Sequence, residues 1–244
     1  LFPYTTLFRS PKETASPQRW FGIFAGAAIY ITTVASLNIP GDFFTQLWLR
    51  FIPFIVPIPL IFLTFVLEIY RKKEKPILNI AVTLLGVFYV AVPLSLLLPF
   101  AGPDALRYLG MPEILVGYFG FTWIYDTGAY LYGKQFGRRR FFERISPKKT
   151  WEGTIAGAIL TLLLAVLLGV FLPDLAFFDW IILALIVIVF GSWGDLTESM
   201  FKRSLGIKDS GNILPGHGGI LDRFDTMLIS APFVFLYFFI RNLI

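Results

Sequence analysis

Five carboxylates, four cations and the chain's only histidine fall between residues 195 and 225. Asp195 and Glu198 come first, then Lys202, Arg203, Lys208 and Asp209. His217 sits between Gly216 and Gly218, and Asp222, Arg223 and Asp225 close the stretch. Carboxylates hold hard divalent cations, while Lys, Arg and closely spaced backbone N–H groups hold phosphates. On a helix, Asp195, Ser199 and Lys202 at i, i+4 and i+7 share one face, with Glu198 beside them. Two readings follow. Asp195 either forms a structural pair with Lys202 or belongs to a metal or phosphate site at the helix end. Pro215-Gly-His-Gly-Gly219 gives a turn whose backbone can approach an anion. It is not a Walker A loop, because no Gly-Lys-Ser/Thr follows the glycines. His217 is a satisfied turn residue or a substrate contact. If the last apolar run is helical, Asp222 and Asp225 stand one turn apart at its start. There a carboxylate is either a cap or a ligand.

Composition narrows the chemistry. The absence of cysteine excludes disulfides and thiolate metal sites, and a single histidine excludes a multi-His zinc site. A metal here must rest on carboxylates, which favours magnesium. The chain is 56% hydrophobic and 15% charged, with mean hydropathy +0.72. Soluble domains carry about 25% charged residues, so part of the solvent must be lipid. The net charge of +5 fits cytoplasmic loops of a membrane protein. No nucleic-acid-binding motif accompanies it, and nucleic acid is not expected as a partner.

The elements that must position these residues are seven apolar runs, at 20–38, 48–70, 77–99, 112–133, 151–172, 178–200 and 226–242. Lipid leaves backbone groups no partner outside the segment, so each reads as a helix. The expected fold is all-α, a polytopic membrane protein with about seven spans. Pro53, Pro57, Pro59 and Pro93 predict kinks. With the N-terminus in the cytoplasm, 18 of the 21 Lys and Arg residues fall on the cytoplasmic side, and so does the loop at 199–225. Arg138, Arg139 and Arg140 read as topogenic. Lys148 and Lys149 read as phosphate ligands or as a cluster on lipid headgroups. Asp126, inside the fourth run, reads as support for a metal site or as the partner of a nearby cation. The expected organisation is an irregular segment at 1–19, foreign in its first residues, then helices over 20–110 and a catalytic membrane region over 111–244.

Ser199-x-Phe201-Lys-Arg203, Lys208-Asp209 and Pro215-x-His217-Gly-Gly219-Ile-x-Asp222-Arg223-x-Asp225 together resemble the signature of the CDP-diacylglycerol synthases, or phosphatidate cytidylyltransferases. Upstream, Asp126-Thr-Gly-Ala-Tyr130 with Gly133 resembles that family's acidic helix segment. Ser146-Pro-Lys-Lys-Thr-Trp-Glu-Gly153 is similar to its Ser-Pro-x-Lys-Thr loop. The likeness covers roughly the C-terminal half; the N-terminal half matches only in hydropathy. Family members usually begin with further apolar helices, so the resemblance implies a truncated N-terminus.

The resemblance implies that CTP and phosphatidate give CDP-diacylglycerol and pyrophosphate, with magnesium, at the cytoplasmic face of the inner membrane. The residues fit this chemistry. The nucleophile is already an anion, so positioning and charge neutralisation carry the catalysis. Asp195 and Asp222 are the expected metal ligands, acting with Lys202 and Arg203 as the catalytic set. Ser146, Lys148, Lys149, Ser199, Lys208, Asp209, His217, Gly218, Gly219 and Arg223 are expected to contact substrate. Asp126, Glu198 and Asp225 are expected to support them. Membrane lipids are expected neighbours, and a homodimer is left open. Two other readings remain: a CTP-dependent polyprenol or phytol kinase, which would release CDP, and a transporter with Asp126 and Asp195 as ion sites.

Overall fold

The computed structural model describes residues 15–38, 52, 55, 57–101, 111–207, 210, 219 and 221–242. The described residues are mostly helical. In chain order the helices are α1 (Arg19–Asn38), α2 (Pro57–Arg71), α3 (Pro76–Gly86), α4 (Val92–Leu97), α5 (Pro112–Phe136), α6 (Trp151–Phe171), α7 (Phe177–Ile186), α8 (Ser192–Ser204) and α9 (Leu221–Arg241). A π turn, Val87–Ala91, joins α3 to α4, and a second, Val187–Gly191, joins α7 to α8. Between α5 and α6 lies an antiparallel hairpin of β1 (Arg140–Phe142) and β2 (Ser146–Thr150).

Five described segments are long and apolar enough to cross a membrane: Arg19–Leu37, Pro76–Phe100, Trp151–Phe171, Phe177–Ser204 and Leu221–Arg241. Seven are expected from the sequence, and the difference has a physical cause. Residues 48–51, 53, 54 and 56 of the second run lie outside the described residues, and the 15 residues of α2 are short for a span. α5 has 25 residues but is diluted by Glu113, Thr122, Asp126, Thr127 and several tyrosines. Of the prolines, Pro57 opens α2, while Pro93 falls just beyond the first π turn, with the chain still helical around it. Pro53 lies outside the described residues.

The chain divides into two compact units: Leu1–Gly110 with Ser204–Asp222, and Met111–Arg203 with Arg223–Ile244. In the first, Glu68 of α2 is buried among apolar helices. It accepts hydrogen bonds from Gln18 Nε2 (2.8 Å) and Asn79 Nδ2 (2.6 Å), and Arg71 pairs with it at 2.7 Å. A carboxylate in such surroundings persists only with partners of this kind.

In the second unit one face of α5 is buried, while Val116, Trp123 and Tyr130 of the same helix are exposed. Tyr118 and Phe121 have no exposed surface, and the Tyr118 hydroxyl bonds Ser230 Oγ of α9 at 2.6 Å. α6 is apolar all round, yet it buries Gly153, Gly157, Thr161 and Ala165, a stripe at four-residue spacing. Lipid gives no hydrophobic drive for helix association, so close backbone approach must supply the contact. A Cβ on Gly153 would stand 2.5 Å from the Ala129 carbonyl oxygen, and one on Gly157 2.7 Å from that of Tyr125. This contact fixes α6 on α5, so β2, which leads directly into α6, is fixed as well. At one end of the unit Asp179 takes a hydrogen bond from Tyr237 (2.6 Å) and an ion pair from Arg241 (2.7 Å).

Candidate active site

The site is built where α8 meets α9. Gly194 permits the meeting: a Cβ there would lie 2.5 Å from the Asp225 carbonyl oxygen and 3.0 Å from that of Thr226. The π turn Val187–Gly191 sits just ahead of α8 and changes the helical phase at which its residues face their neighbours. Ser192 anchors the first turn of α8. Its hydroxyl lies 2.6 Å from the Ile188 carbonyl oxygen and in hydrogen-bond contact with the Tyr125 hydroxyl of α5.

Three carboxylates converge there. Oxygens of Asp195, Glu198 and Asp225 all lie within 4.8 Å of one another. Glu198 is fully buried, and Asp195 and Asp225 are half-buried. Ser199 Oγ donates to Asp195 Oδ1 at 3.3 Å. The Thr226 N–H donates to Asp225 Oδ1 at 2.6 Å. The Thr226 hydroxyl has two acceptors in reach, Asp225 Oδ1 (3.2 Å) and Asp126 Oδ2 on α5 (3.3 Å), and one proton to give. Asp126 is thereby tied to the cluster through Thr226.

Acids this close raise each other's cost of ionisation unless cations offset them. Two lysines do so. Lys149 of β2 forms an ion pair with Asp195 Oδ2, and Lys202 pairs with Glu198 Oε2 at 2.5 Å, four residues along α8. A structural Asp195–Lys202 pair is the alternative expected from the sequence; here Asp195 pairs with Lys149, and Lys202 pairs with Glu198. The strand period explains why Lys149 and not Lys148 faces inward: neighbours on β2 point to opposite sides, and Lys148 is exposed. Burial opposes the charge on Lys149. The adjacent Asp195, by charge and by hydrogen bond, more than offsets burial, with Tyr125 and Asp126 adding in the same direction. The ammonium therefore holds its proton above the ordinary lysine range.

The remaining expected residues are dispersed. Ser146 is half-buried at the start of β2, and Arg203 and Arg223 are exposed. Asp222, in the first turn of α9, accepts from two described residues ahead of the helix, Ser210 and Gly219. Its Oδ2 accepts from Ser210 N (2.9 Å), Ser210 Oγ (2.8 Å) and Gly219 N (2.7 Å). Lys208, Asp209, His217 and Gly218 lie outside the described residues. Tyr125, Ser192, Gly194 and Thr226 are added by the structure. Gly194 alone carried a sequence signal, since a glycine in a helix interior marks close packing.

The arrangement suits a hard cation. Oxygens around a bound octahedral cation stand about 3–4 Å apart, and the three acids, all within 4.8 Å of one another, need only a small closure to share one. The chain matches the cytidylyltransferase family across residues 7–241. The chain belongs to the cytidylyltransferase family. Membership covers the N-terminal helices as well as the acidic cluster. It is similar to the phosphatidate cytidylyltransferase of Staphylococcus haemolyticus (strain JCSC1435), at 36% identity over 216 residues, covering 86% of this chain and 76% of that protein. It is also similar to the phosphatidate cytidylyltransferase of Staphylococcus aureus (strain COL), at 37% identity over 187 residues, covering 76% and 69%.

Proposed function

We propose that this cytidylyltransferase uses CTP and phosphatidate, in the membrane, to make CDP-diacylglycerol and pyrophosphate with magnesium. The observation that carries the reading is the convergence of Asp195, Glu198 and Asp225 with Lys149 and Lys202, in a chain whose relatives are named for this reaction. A phosphate oxygen of phosphatidate attacks the α-phosphorus of CTP. One P–O bond forms as the bond to the β-phosphate bridge breaks, and pyrophosphate leaves. No side chain need become a nucleophile.

Asp195, Glu198 and Asp225 would hold the magnesium ion, with Asp222, one turn earlier on α9, as a further carboxylate for it. Bound there, magnesium would offset the charge shared by the α-phosphate and the departing pyrophosphate. Ser199 and Thr226 keep two of the acids aimed, and Asp126 buttresses Thr226. Lys149 and Lys202, already against the acids, are within reach of the same anions. Arg203, Lys208, Arg223 and Lys148 supply further phosphate contacts. Ser146, Asp209, His217, Gly218 and Gly219 complete the substrate surface. The site faces the cytoplasm, where CTP is, and the lipid enters sideways from the bilayer.

Product analysis tests the reading. CTP labelled at the α-phosphate, incubated with phosphatidate and magnesium, should transfer its label to lipid with release of pyrophosphate. Label passing from the γ-phosphate to a lipid alcohol, with CDP released, would replace this reaction by a kinase. Solute flux through liposomes without CTP turnover would replace it by transport.

A further inference from the structure

We propose that the β1–β2 hairpin is a docking surface for anionic phospholipid headgroups, independent of the reaction proposed above. Over residues 138–144 the chain exposes Arg138, Arg139, Arg140 and Arg144, against a single acid, Glu143. Among the described residues none of these four cations forms an ion pair with a carboxylate. Topogenic charge needs no fixed structure, because it acts during insertion. This segment has one. Arg140 pairs with Thr150 and Phe142 with Ser146 across the strands. The Trp151 N–H donates to the Arg139 carbonyl at 3.0 Å. The neighbouring acid, Glu152, is engaged with backbone: it accepts from Arg138 N (3.1 Å) and Arg139 N (3.2 Å). That bonding fixes the loop and directs the carboxylate to the main chain.

The aromatic flank identifies the partner. Phe141 packs edge-on against Trp151, with ring centroids 4.4 Å apart, and edge-on against Phe142 at 5.0 Å. Trp151 and Phe142 are nonetheless 49% and 46% exposed. Trp151 is the first residue of α6, a candidate span, so the hairpin stands at the end of a membrane helix. Exposed rings beside exposed cations at that level match a headgroup layer: rings at the boundary, charge on the phosphates. A soluble anionic partner would leave the rings without apolar cover.

The chain has no cysteine, so Glu143→Cys in the hairpin turn takes a single environment-sensitive fluorophore. The full-length chain is placed in nanodiscs of phosphatidylcholine alone or phosphatidylcholine with increasing phosphatidylglycerol, without CTP. Phosphatidylglycerol should blue-shift the label and phosphatidylcholine should not; raising salt on the otherwise native chain should reverse the shift. Each cation near an anionic surface counts for about a fivefold effect. Changing Arg138, Arg139, Arg140 and Arg144 to Gln should therefore raise the half-saturating phosphatidylglycerol content at least about tenfold. Equal emission in the two lipids, salt insensitivity of the shift, or an unchanged titration in a folded four-Gln variant would overturn the proposal. So would the same shift produced by soluble glycerol phosphate, which would make this a site for free phosphate. Because no CTP is present, failure of this test is separable from failure of the proposed reaction.

Discussion

Asp195 shows what a single position reveals before its neighbours are known. A carboxylate near the end of an apolar run must be paired, protonated or bound to a cation, and that much is written in the sequence. Which cation is not: Lys202 is close along the helix, whereas Lys149 lies 46 residues away in sequence and reaches Asp195 only because β2 turns it inward. Asp195→Asn should lower turnover on the order of 10²–10³-fold, as loss of one charge-stabilising group commonly does. Thermal unfolding of the same variant checks that the fold survives. Lys149→Met leaves Asp195 without its ion-pair partner. It should reduce turnover, and because the lysine is proposed to touch phosphate, its larger effect should fall on the KM for CTP or phosphatidate. A change confined to stability, with both KM values kept, would make Lys149 structural. Asp222→Asn should abolish turnover, and full activity in folded protein would remove its proposed role.

At the scale of elements, the helices are legible as apolar runs, although the helix of the second run starts at Pro57, nine residues inside its expected limit, and π turns interrupt the third and sixth runs. The contacts between them were not legible. Gly157 of α6 reads as an unremarkable member of a greasy segment and Gly153 only as the end of the Ser146–Gly153 stretch, yet they set the helix's separation from α5. The π turn ahead of α8 follows no residue pattern that periodicity detects, because it adds one residue to a helix that otherwise continues. Gly194→Ala tests the α8–α9 meeting. The added methyl has nowhere to go but into the Asp225 backbone, and overpacking of this kind costs about 1–3 kcal/mol. The expected result is a lower unfolding temperature together with reduced turnover, because the same shift separates Asp195 and Glu198 from Asp225. An unchanged unfolding temperature would show that α8 and α9 part without cost.

For the whole molecule, composition points to a membrane protein, and the charge count is the ground for the proposed cytoplasmic face. Five described segments satisfy the length and hydropathy of a span. α5 falls below that standard because Glu113, Asp126 and its other polar residues dilute its apolar content. Cysteines introduced singly at Glu143 and at Asp174 should differ in labelling by a membrane-impermeant reagent applied to right-side-out vesicles. The first should be protected and the second labelled, since the two ends of α6 are proposed to lie on opposite sides. Equal labelling would contradict the orientation.

The most direct measurement is manganese binding, followed by electron paramagnetic resonance on the full chain in detergent. The carboxylates of α8 and α9 are proposed to hold a divalent cation, so the native chain should show saturable binding that magnesium displaces. Asp195→Asn and Asp225→Asn should each weaken it by about tenfold or more, as lost metal contacts do. Undiminished manganese affinity in both folded variants would contradict the account.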